Sequence, residues 1–176
     1  MTIRQKGFPF LLGFIDGILT ALTLTAGRLL EPGATAEYGL ALRVAIASFA
    51  SGIFVFFVAK YAELRGKLLR QGRELNLASS KKLINTVLGR KILVSSFVDA
   101  AISGVAGFVG AYFPLLIAAI IPTLPWFTFS ISLAILGVVG FILGREVGKR
   151  PILWIIGLLA GGIIITAIGV ELHIVD

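Results

Sequence analysis

The sequence predicts an all-α polytopic membrane protein with five transmembrane helices. Of its 176 residues 57% are apolar and the mean hydropathy is +1.00, too apolar for a soluble domain of this length. Apolar runs of about twenty residues recur along the chain, each long enough to cross a bilayer once. The charges, +7 net, are gathered in short segments between those runs, so they report topology rather than affinity for nucleic acid.

Each span is read in turn from where its apolar run begins and breaks. The first covers about 8–30. Its basic lead, Met1–Lys6, resembles that of a signal peptide, but the run is too long, carries Asp16 and lacks a small-residue cleavage site, so it is read as a retained helix. A polar turn at 31–37, broken by Pro32 and Gly33, leads to a second span over about 39–64. Residues 65–91 are the extended polar segment, with eight basic residues against one acid, Glu74. Leu64, Leu68, Leu69 and Leu75 interleave with those charges, a pattern that predicts an amphipathic helix lying on anionic headgroups. The third span runs from about 92 to Pro114 or slightly beyond. Pro122 and Pro125 then break the run, and Trp126 marks an interface. The fourth span, about 127–143, stops at the basic stretch 144–150, and the fifth runs from Pro151 to about Val170. All five belong to one domain, 1–176.

Placing the N-terminus in the cytoplasm puts the basic segments 1–6, 65–91 and 145–150 on the cytoplasmic side. Glu31, Glu37, Glu171 and Asp176 then fall on the other side, with Arg28 and Arg43 the cations near it. That arrangement obeys the positive-inside rule and leaves the C-terminus outside.

Much chemistry is excluded. There is no cysteine, and the one histidine, His173, is near the C-terminus. No thiolate or histidine metal site, disulfide or nucleophile–base pair can be assembled, so no enzyme, catalytic residue or resident cofactor is expected. Small residues recur at helix-packing spacing in Gly13/Gly17, Ser103/Gly107, Gly140/Gly144 and Gly157/Gly161. Five helices enclose little volume, and a pathway between two copies of the chain, a homodimer, is the expectation.

The ionisable residues within the spans are the functional candidates, because a charge in hydrocarbon costs at least a few kcal/mol unless paired, protonated or wetted. Away from the outer ends of the spans they are Asp16, Lys60, Glu63 and Asp99. Counted from the cytoplasmic end of each span, Asp16 and Asp99 lie about 10–12 Å deep and Lys60 about 6–7 Å, so the three are expected to share one layer. Thr20 and Thr23 follow Asp16 on its helix, and Ser95, Ser96 and Ser103 flank Asp99. Two carboxylates with hydroxyls make a hard, oxygen-rich site suited to a divalent cation or to protons. The plain structural alternative is an Asp16–Lys60 ion pair.

Taken together, Gly13-Phe-Ile-Asp-Gly17 with its threonine-rich continuation to Gly27, Ala59-Lys-Tyr-Ala-Glu-Leu-Arg65, Gly107-Phe-Val-Gly-Ala-Tyr-Phe-Pro-Leu-Leu116 and the Gly140–Gly169 stretch resemble, in order and spacing, the vacuolar iron transporter family. The resemblance covers nearly the whole chain. It implies a five-helix homodimer that moves ferrous iron or manganese out of the cytoplasm in exchange for protons, with Asp16 as the carboxylate lining the path. Phe56 and Lys60 stand where the family carries methionine and glutamate, and the 65–91 segment is basic where the family's is often rich in glutamate. The expected ion path is Asp16, Asp99, Thr20, Thr23, Ser103 and Lys60, and the expected metal ligands are Asp16, Asp99, Glu63 and Glu74. The expected partners are the Fe²⁺ or Mn²⁺ cargo, the lipid bilayer and a second copy, in the plasma membrane. Two other readings stand beside this one: the same fold carrying a different solute because of Lys60, and a non-transporting membrane scaffold.

Overall fold

In the computed structural model the residues described are 4–30, 38–74, 87–121, 125–147 and 150–171. They form five α-helices: α1 (Arg4–Leu30), α2 (Tyr38–Glu74), α3 (Val87–Ile120), α4 (Pro125–Val147) and α5 (Pro151–Glu171). All five are long and apolar enough to cross a membrane. Their outward faces carry large apolar side chains such as Phe54, Trp126, Ile152 and Ile164, as a surface bathed in hydrocarbon does. The chain is an integral multi-pass membrane protein.

Prolines mark two of the starts. Pro125 opens α4 and Pro151 opens α5, positions where the missing N–H has no helical partner to lose. Pro114 lies inside the third helix, which continues past it to Ile120, just ahead of the stretch where the apolar run breaks.

The main departure lies in α2 and α3. Residues 65–74 and 87–91 are not parts of a separate helix laid on the membrane. The first ten residues of the basic segment continue α2 to Glu74 and its last five begin α3 at Val87, while 75–86, with Leu75, lies outside the described residues. Residues 65–74 are mostly Arg, Lys, Leu, Gln and Glu, strong helix formers that give the backbone no reason to stop at the edge of the hydrocarbon. At 37 residues α2 is about 55 Å long, against a hydrocarbon core of about 30 Å. Residues 31–37, expected as a polar turn, and 122–124 also lie outside the described residues.

α1 is the central plank. It packs on α3 along one side and on α4 and α5 along the other, and the α2/α3 and α4/α5 hairpins meet only slightly through α3 and α4. Towards α3 the contact is backbone on backbone. A Cβ at Gly13 would collide with the carbonyl of Ser103, one at Gly17 with the carbonyl of Gly107, and one at Gly110 with the carbonyl of Phe14. Towards α4 the contact is aliphatic: Leu11, Ile15, Ile18 and Leu22 form one buried cluster with Leu136, Val139 and Leu143. Gly140 and Gly144 let α5 approach α4 at Ile155 and Pro151, whereas Gly157 and Gly161 face open space. The small-residue pairs are therefore packing devices at three of the four expected places.

Candidate functional site

Contacts between helices fix the level of each polar group. Gly13 meets Ser103 and Gly17 meets Gly107, so α1 and α3 run parallel in a constant register. Ala21, Ala41 and Leu115 share a second buried cluster, Gly107 lies against Ser48, and the Phe57 and Phe97 rings meet edge-on with centroids 6.5 Å apart. α2 therefore runs antiparallel to α3, with Ser48 level with Gly107 and Phe57 level with Phe97.

This register corrects the expected single layer. Asp16, just before Gly17, stands level with the Gly107 region of α3, whereas Asp99 stands level with the first turns of α1, about 13 Å nearer the basic end. Lys60 is farther still, about 20 Å along the axis from the level of Asp16. Depth counted from span starts failed because α3 is a 34-residue helix with apolar residues beyond what one bilayer needs, and hydropathy does not say which part is level with α1.

The company each residue keeps follows from these levels. Lys60 Nζ lies 3.4 Å from Glu63 Oε2, and Lys67 pairs with the other oxygen of the same carboxylate. The alternative of an Asp16–Lys60 ion pair is therefore not made: Lys60 is held by Glu63 on its own helix, three residues on. Ser103 is buried at the α1/α3 seam against Gly13, one turn from Asp99. Glu74 ends α2, beyond Lys60 and so farther still from the level of Asp16. The four expected metal ligands Asp16, Asp99, Glu63 and Glu74 are spread over different levels, and among the described residues no three His, Cys, Asp or Glu side chains form a group able to hold a metal ion.

What the structure does bring together is a stripe on α1. Phe8, Leu12 and Asp16 are exposed, and Thr20 and Thr23 continue the same face. The Thr20 and Thr23 hydroxyls donate to the carbonyls of Asp16 and Leu19, each at 2.9 Å, which satisfies their protons within the helix and leaves oxygen lone pairs available. Among the described residues Asp16 has no ion-pair partner. The bundle's tightest seams lie on either side of this stripe, so its direction is fixed: away from the core of the single chain.

Polar atoms the sequence did not single out lie inside the bundle. The hydroxyls of Ser48 and Thr128, and that of Ser96, noted only as a neighbour of Asp99, are buried without a hydrogen-bond partner among the described residues. Thr25, Ser132 and Thr166 are also buried but donate to their own helix backbones. Hydropathy alone does not separate these two groups, because both consist of single hydroxyls in apolar runs.

Comparison with family models, with curated proteins and with solved structures finds no match to this chain.

Proposed function

We propose that the chain works as a homodimer that carries a divalent cation, Fe²⁺ or Mn²⁺, out of the cytoplasm in exchange for protons. The observation that carries the reading is Asp16, a carboxylate with no ion-pair partner among the described residues, within the span Gly7–Ala26 and facing out of the monomer. Left against lipid it is costly by at least a few kcal/mol. A second copy packing its own α1 stripe on this one takes it out of lipid, and a cation or protons held between the two copies then offset the charge. Two-fold symmetry brings two Asp16 carboxylates to the axis, with Thr20 and Thr23 from each copy beside them.

Such a site is all oxygen, which suits a hard or borderline divalent ion. It also explains coupling to protons. Two carboxylates neutralise one divalent cation, or bind two protons, so the loaded site carries no net charge through the low-dielectric region in either form. Exchange of one divalent ion for two protons is then electroneutral. The resemblance of Gly13–Gly27 to the iron transporter family points the same way, as does the cytoplasmic placing of the basic segments, with the N-terminus inside, the C-terminus outside and the protein in the plasma membrane.

In proteoliposomes the wild-type protein should drive uptake of Fe²⁺ or Mn²⁺ with opposed proton flow, and Asp16→Asn should reduce it to background. Normal flux in that variant would end the proposal. The dimer has its own test, because the chain contains no cysteine. A single cysteine introduced at Leu12, on the same stripe, should cross-link two copies across the axis under mild oxidation, and failure to cross-link in intact membranes would remove the second carboxylate.

A different cargo on the same scaffold is favoured by one observation, that no three acidic side chains gather among the described residues. A flux panel over divalent, monovalent and anionic solutes separates the two readings.

A further inference from the structure

We infer that the outer groove between α2 and α3 is a binding site for an anionic phospholipid, placed away from the Asp16 stripe. The groove measures about 420 Å³ and is lined by Ile46 and Phe49 of α2 and Val105 and Phe108 of α3, with no polar side chain among them. All four lie inside candidate membrane spans, so the groove opens to hydrocarbon and admits an acyl chain without desolvating any polar group.

The polar groups at one end of the groove identify the rest of the ligand. Arg43 is one turn before Ile46 on α2, and Tyr112 is one turn beyond Phe108 on α3, its ring stacked on that of Phe108 with centroids 5.6 Å apart. Because Ala41 clusters with Leu115 and Ser48 lies against Gly107, Arg43 and Tyr112 stand at one level. That level is about 8 Å inside the start of α2 at Tyr38, within reach of the headgroup region for a side chain as long as arginine's. Arg43 is exposed, and among the described residues it has no carboxylate partner.

The order of chemistry is that of a phospholipid. A cation and a phenolic hydroxyl stand at the headgroup end, and apolar walls run from there towards the membrane centre. A guanidinium suits a phosphate through paired N–H donors. A lipid of net negative charge is preferred because its headgroup brings no cation of its own to compete with Arg43. The site lies on the face of α3 turned away from α1, so it is independent of the transport reading.

The test is native mass spectrometry of the purified full-length protein titrated with phosphatidylglycerol or phosphatidylcholine. The wild type should retain phosphatidylglycerol in preference. Arg43→Gln should weaken that retention about fivefold, and Arg43→Lys should recover part of it. Val105→Trp, at a side chain already exposed and so not expected to disturb the fold, should plug the groove and lower retention of both lipids. Retention of phosphatidylglycerol by Arg43→Gln at the wild-type level overturns the proposal. So does undiminished retention by Val105→Trp, and a shift of Val105→Trp from dimer to monomer with lipid retention unchanged would assign the groove to a second copy instead.

Discussion

The two sides of α1 are built on opposite rules. Against α3 it presents Gly13 and Gly17, and the helix backbones touch with almost no side chain between them. Against α4 it presents Leu11, Ile15, Ile18 and Leu22, which interdigitate with Leu136, Val139 and Leu143. In lipid neither seam gains from the hydrophobic effect as a soluble core does, since acyl chains are as apolar as leucine. Both hold by close packing, and they differ in what they tolerate. An aliphatic seam adjusts by changing rotamers, whereas a backbone seam has nothing to move.

The largest expected effect therefore lies on the glycine side. Gly17→Ala places a Cβ against the carbonyl of Gly107 and the amide of Ala111, both backbone. Its loss of stability should be about 3 kcal/mol or more, beyond the usual range for one added methyl because the helices must part to admit it. The measurement is unfolding in mixed micelles, with helix content and monodispersity as controls. A melt unchanged from wild type would show that the α1/α3 seam is not as close as described.

On the aliphatic side, Ile18→Ala removes a fully buried side chain from the centre of the cluster. The expected loss is about 2 kcal/mol, towards the low end of core truncations because lipid fills part of the role that water does not. If Ile18→Ala proves more damaging than Gly17→Ala, the ranking of the two seams is reversed.

How much of this was legible in the sequence depends on which interaction carried the signal. The five helices were visible because each bilayer crossing demands a continuous apolar run, a one-dimensional property. Gly13/Gly17 and Gly140/Gly144 were readable as packing pairs for a similar reason, since their spacing lies along one helix. The level of Asp99 relative to Asp16 was not readable. It depends on how far α3 is displaced along α1, which is set by Ser103, Gly107 and Gly110 fitting α1's backbone, and no property of α3 alone contains that displacement. The company of Lys60 was not readable on the same ground: Glu63 lies three residues on, but whether Asp16 reaches the same level depends on how the helices are displaced.

Glycines that no helix approaches sharpen the contrast. Gly157 has the same helical spacing to Gly161 as Gly13 has to Gly17, yet nothing lies within 4 Å of the position a Cβ would take at either α5 glycine. Gly157→Ala should stabilise the monomer by about 0.5–1 kcal/mol through helix propensity alone. A loss of stability that appears only under dimerising conditions would instead reveal a packed partner on α5.

The smallest effect belongs to Lys60. Its side chain is 28% exposed, and its 3.4 Å contact to Glu63 is one of two, since Lys67 holds the same carboxylate. Lys60→Gln removes a redundant, partly solvated ion pair, so the change in stability should stay within about 0.5 kcal/mol. With Lys60 held by Glu63 and about 20 Å along the axis from Asp16, the proposed metal flux should also match the wild type, because the lysine touches no part of the Asp16 stripe. Flux measured for Lys60→Gln and Asp16→Asn side by side decides the matter. If removing the lysine charge raises or abolishes divalent uptake while Asp16→Asn leaves it intact, the working carboxylate is Glu63 at the basic end, and the α1 stripe is an interface rather than a path.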